Sequence, residues 1–75
     1  MEMAYIFLNS DIGFERDVLK YLKDIPEVRE AFKIYGVYDI IIKLEADTVC
    51  ELKELTKEIR KMEKVRATLS MIVSD

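Results

Sequence analysis

The hydrophobic pattern of this 75-residue chain changes period four times, and that order leaves few folds open. Ala4–Asn9 alternates as a strand does, with Ala4, Ile6 and Leu8 set against Tyr5, Phe7 and Asn9. A polar break, Asn9-Ser10-Asp11-Ile12-Gly13, follows. Phe14–Asp24 then takes helical spacing, with Phe14, Val18, Tyr21, Leu22 and Ile25 on one stripe. Glu15 and Asp17 stand in its first turn and Lys20 and Lys23 near its end, as the helix dipole favours. Pro26 stops this helix and biases Ile25 toward an extended backbone. Val28–Tyr35 returns to β-forming residues, and Arg29, Glu30 and Lys33 give it the charge load of an edge strand. Tyr35-Gly36-Val37-Tyr38 is a hairpin connection, and Asp39–Glu45 is a third strand. Its Ile40-Ile41-Ile42 centre predicts burial on both faces. A second helix opens at Ala46-Asp47-Thr48. Thr48 and Glu51 have the spacing of a capping box, and Asp47 is an alternative cap. Val49, Leu52, Leu55, Ile59 and Met62 form its apolar stripe. Val65–Val73 is the last strand, with Val65, Ala67, Leu69, Met71 and Val73 on one face and Arg66, Thr68 and Ser70 on the other.

The order strand, helix, strand, strand, helix, strand predicts an α+β fold. It is a ferredoxin-like βαββαβ sandwich, a four-stranded antiparallel sheet with two helices on one face, and residues 1–75 make one domain. A chain this short builds only a marginal core and usually needs a staple. Cys50 is the only cysteine and there is no histidine, which removes an internal disulfide and the usual zinc ligand sets. Self-association remains, and 51% of the residues are hydrophobic. Two helices cover one sheet face only, yet Tyr5, Phe7 and Ile41 put bulk on the other. An open apolar patch of that kind marks a contact surface. Two copies are therefore expected to dimerise sheet to sheet across a two-fold axis.

The absence of histidine also removes Ser-His-Asp and Cys-His triads and most acid–base designs that work near neutral pH. A formal net charge of −3 and the absence of tryptophan argue against a direct nucleic-acid surface. Lys57, Arg60, Lys61, Lys64 and Arg66 cluster, but Glu58 and Glu63 interrupt them, which suits a solvated face with ion-pair support. No secretory signal is legible at Met1–Ser10, and no apolar run approaches the roughly 20 residues of a membrane helix. A lone thiol suits a reducing cytoplasm. Cys50, early in the second helix, reads as a packed or half-exposed cysteine, and Met62 and Met71 as fillers of core or interface. No cofactor or metal is implied.

The segments Ile25-Pro26-Glu27-Val28, Tyr35-Gly36-Val37-Tyr38-Asp39-Ile40, Glu45-Ala46-Asp47-Thr48 and Val65-Arg66-Ala67-Thr68-Leu69, taken as a set, resemble the effector-binding domain of the Lrp/AsnC transcription regulators. The resemblance runs over essentially the whole chain. Family regulators carry a helix-turn-helix domain ahead of this module, and this chain starts at strand one. It therefore resembles the stand-alone version, the RAM domain. The resemblance implies an amino-acid effector, dimers formed through the sheets, and further assembly into rings. It places the effector between dimers, near the hairpin after strand two and the last strand. Co-assembly with full-length Lrp/AsnC-type regulators would then alter transcription without contact to DNA.

By the same resemblance the positions matching Gly36, Asp39 and Thr68 respond to effector. Physically, Asp39 suits the ammonium of an amino acid, and Gly36 lets backbone N–H groups approach its carboxylate. Thr68 and Ser70 share one strand face and offer hydroxyls, while Tyr35 and Tyr38 can wall a pocket. Each residue has a structural use as well. Gly36 suits a hairpin turn, Asp39 the backbone of its own turn, Thr68 and Ser70 an ordinary strand face, and the tyrosines a subunit interface. Two other functions fit the same fold, a purely structural oligomer and a small dimeric α+β barrel enzyme. For the enzyme, only Glu30, Asp39 and Glu45 are acid candidates, with no base–orienter pair. An amino-acid module of the ACT type shares the strand order. The Gly-x-Tyr-Asp hairpin and the last-strand threonine favour the Lrp type.

Overall fold

The computed structural model of the chain describes residues 1–74. The elements follow the expected order: β1 (Glu2–Ser10), α1 (Glu15–Lys23), β2 (Val28–Lys33), β3 (Ile40–Ala46), α2 (Val49–Arg60) and β4 (Val65–Ile72). The strands form one sheet in the order β2-β3-β1-β4, and every neighbouring pair is antiparallel. β2 is an edge strand, as its charges predict. The other edge is β4, which carries no charged residue after Arg66.

Alternation along the central strands decides where the core lies. Ala4, Ile6 and Leu8 of β1 pair with Leu44, Ile42 and Ile40 of β3, and all six are buried. Above them lie Val18 and Leu22 of α1 and Leu52 and Ile59 of α2. Each fully buried Leu or Ile stabilises the fold by about 1.5–3 kcal/mol relative to an exposed one. The second helix is capped as its sequence suggests, the Glu51 N–H donating to Thr48 Oγ1 at 3.1 Å. The first helix has no side-chain cap at Phe14. Just outside it the Gly13 N–H donates to the Glu15 carboxylate at 3.1 Å.

Three details depart from the sequence reading. The stripe of α1 is narrower than expected: Tyr21 and Phe14 are exposed, and Leu19 joins Val18, Leu22 and Ile25 against the core. The alternation of β4 is not continuous. A register shift sets Val65 opposite Ser10 on the helix side, whereas Ala67, Leu69 and Met71 oppose Asn9, Phe7 and Tyr5 on the open side. A bulge of this kind reverses the facing of the residues before it. Of the three isoleucines in β3, Ile40 and Ile42 are buried, while Ile41 is only half-buried and lies on the open face.

That open face has two parts. Phe32, Ile41, Phe7 and Leu69 make an apolar row across all four strands, flanked by Tyr5 and Met71. Beside it lies a charged corner, where Lys43 reaches Glu30 at 3.7 Å and Glu45 at 3.5 Å, and Arg29 reaches Glu45 at 3.6 Å. Among the described residues, no helix is long and apolar enough to cross a membrane.

Candidate ligand-binding site

The hairpin between β2 and β3 is closed by the Ile34 N–H donating to the Asp39 carbonyl at 2.7 Å. Gly36 sits within it at φ +144°, a conformation that side-chain-bearing residues rarely adopt. No atom lies within 4 Å of where its Cβ would stand, so backbone conformation and not close packing explains glycine here. Tyr35 is 93% exposed at the tip, with the Lys33 ammonium 6.0 Å from its ring centroid. Tyr38 turns onto the open face and packs against Phe7, with ring centroids 5.8 Å apart.

Asp39 holds the end of the sheet together. Its N–H donates to the Leu8 carbonyl at 3.0 Å, and its Oδ2 accepts from the Ser10 N–H at 3.2 Å. β3 begins only at Ile40, so the carboxylate takes the place of a strand carbonyl for Ser10. The carboxylate has capacity for further hydrogen bonds beyond this one.

Thr68 and Ser70 pair with Leu8 and Ile6 and so lie on the helix side of β4. Thr68 is half-buried and Ser70 exposed. Thr68 lines a polar-walled cleft of about 310 Å³ with Arg60, Val65, Arg66 and Ala67.

Five of the six candidates lie toward one end of the sheet, Ser70 lies midway along it opposite Ile6, and the six do not share a face. Tyr38 lies on the open side, whereas Thr68 and Ser70 lie on the helix side. Leu8 pairs with Ile40 on one flank and Thr68 on the other. Two interstrand spacings put the backbones of β3 and β4 about 10 Å apart there. The Asp39 carboxylate crosses one of those spacings to the Ser10 N–H, while Thr68 faces the helix side.

Sequence reasoning missed three residues at this end. Ser10 accepts the alternation of the buried face, and its hydroxyl is buried without a hydrogen-bond partner among the described residues. The signal was a polar residue continuing Ala4, Ile6 and Leu8. Arg60 and Arg66, read as part of a solvated face, are both exposed, and the turn between α2 and β4 brings them to the Thr68 cleft. Cys50, read as packed or half-exposed, is exposed.

Comparison with known proteins agrees with the fold. The crystal structure of FFRP-DM1 superposes with a TM-score of 0.94 at 41% identity, covering 99% of this chain and 100% of that one. Escherichia coli AsnC shows the same fold, with a TM-score of 0.87 at 24% identity over 99% of this chain and 51% of its own. A curated relative, the homocitrate synthase of Sulfurisphaera tokodaii, is 39% identical over 56 residues. That match takes in 75% of this chain, which spans only 12% of the enzyme's length. The model of the Lrp/AsnC ligand binding domain matches residues 4–75, and the chain belongs to that family.

Proposed function

We propose that the chain, as one ligand-binding and oligomerisation domain, binds a small amino-acid effector between subunits, and that binding shifts the balance between oligomeric states. The family match over residues 4–75 carries this reading. Two features of the molecule support it. The apolar row Phe32, Ile41, Phe7 and Leu69, edged by ion pairs, has the apolar centre and polar rim of a subunit interface. The opposite faces taken by Tyr38 and by Thr68 and Ser70 suit a site completed by a second copy, in which one chain supplies the ammonium acceptor and another the hydroxyl donors. Gly36, Tyr35 and Tyr38 then border the ligand from the hairpin, and Ser70 extends the hydroxyl row.

An effector can favour one assembly only through a difference in affinity between assemblies. In the cytoplasm such a module acts on transcription by co-assembly with full-length Lrp/AsnC-type regulators, without contacting DNA itself. Thermal unfolding in the presence of single amino acids tests the binding step. One amino acid is expected to raise the midpoint, and Asp39→Asn to remove the rise. An unchanged midpoint with all twenty would contradict it.

The homocitrate synthase match favours a second partner for the same module. In that reading it reports amino-acid level to a biosynthetic enzyme and not to a promoter. Mixing the purified chain with a full-length regulator, and separately with such a synthase, distinguishes the two by which mixture gains mass in light scattering.

A further inference from the structure

The geometry points to the cleft between the end of α2 and the start of β4 as a binding site for a small dianion, held by Arg60, Arg66 and Thr68. The chain folds back tightly there. The Met62 N–H donates to the Ile59 carbonyl at 3.1 Å, and the Val65 N–H to the Met62 carbonyl at 3.1 Å. The Asp11 N–H donates to the Lys64 carbonyl at 2.8 Å and ties the turn to the end of β1. Two arginines six positions apart are thereby brought to one concavity, on a backbone fixed from three directions.

The walls are mainly polar, and the volume of about 310 Å³ suits a small molecule. Guanidinium groups match carboxylate and phosphate oxygens bidentately, and a threonine hydroxyl adds a donor that tracks neither charge nor salt. The α2 C-terminus would repel an anion through its free carbonyls. That end carries only about half a negative charge, which the two guanidinium groups of Arg60 and Arg66 outweigh. The only competitor for Arg66 among the described residues is Asp11, whose Oδ1 stands 3.8 Å from Nε. Both partners are exposed, and a long surface pair of this kind is weak. Arg60 makes no ion pair among the described residues.

This cleft shares Thr68 with the effector site proposed above but does not use Asp39, so either can fail alone. Calorimetric titration of the chain at low salt tests it, with malonate, inorganic phosphate and acetate as probes. A dianion is expected to bind one per chain, more tightly than acetate. Arg66→Gln and Arg60→Gln are each expected to weaken it by about tenfold or more, and Thr68→Val by less. Lys20→Gln on α1 and Asp39→Asn should leave it unchanged. Preference for malonate over phosphate identifies a dicarboxylate ligand, and the reverse a phosphorylated one. Amide shifts of Val65–Thr68 on titration report the place in the unaltered protein. The proposal is overturned if no dianion binds, or if those amides stay still. It is overturned equally if Lys20→Gln weakens binding as much as the arginine variants, or if Asp39→Asn abolishes it.

Discussion

Asp39 carries two roles that single substitutions can separate. Its carboxylate accepts the Ser10 N–H, so Asp39→Ala leaves a part-buried donor unpaired. The expected loss is about 1–2 kcal/mol, read from the urea midpoint. Asp39→Asn keeps an acceptor oxygen and should cost less than half of that, while still removing the charge that an effector ammonium would use. Gly36→Ala tests a different quantity. With open space around the Cβ and φ at +144°, its cost is purely conformational, roughly 1 kcal/mol in thermal unfolding. At this scale the sequence was only half legible. Gly36 and Asp39 announce a turn because few residues tolerate one, but no periodicity reveals that the Asp39 carboxylate reaches across to β1. Ser10 and the Arg60–Arg66 pair were overlooked for a related reason, since charge runs and lone polar residues acquire meaning only from what the chain folds them against.

The elements were far more legible, because each hydrophobic repeat specifies its own buried face. Thr48 illustrates it: a cap spacing in the sequence becomes a 3.1 Å hydrogen bond at the start of α2. Thr48→Ala is expected to lower stability by about 1 kcal/mol, and Thr48→Gly by only a few tenths, in chemical denaturation. The misreadings fall where tertiary packing overrides local pattern. β4 looks like a clean alternation, but the shift opposite Asn9 and Ser10 sends Val65 to the helix side. α1 looks wide, but a nine-residue helix lying over β2 buries only Val18 and Leu22 fully. β2 ends at Lys33, short of Tyr35, because the chain must leave the sheet to place Gly36 in the turn.

For the whole molecule, the decisive feature is a sheet with one covered face and one open face. Leu69 is 46% exposed in the single chain and faces Phe7 and Ile41 across the open side. Leu69→Lys should leave the fold intact and move the protein toward the 8.8 kDa monomer, as seen by sedimentation. An unaltered oligomer would remove the sheet face from the interface. Coupling of assembly to an amino acid is the central claim, and light-scattering mass across a dilution series tests it most directly. The predicted result is that one amino acid shifts the mass distribution and that Asp39→Asn abolishes the shift while the dimer survives. A mass that stays fixed with every amino acid, or a monomer at every concentration, would contradict it.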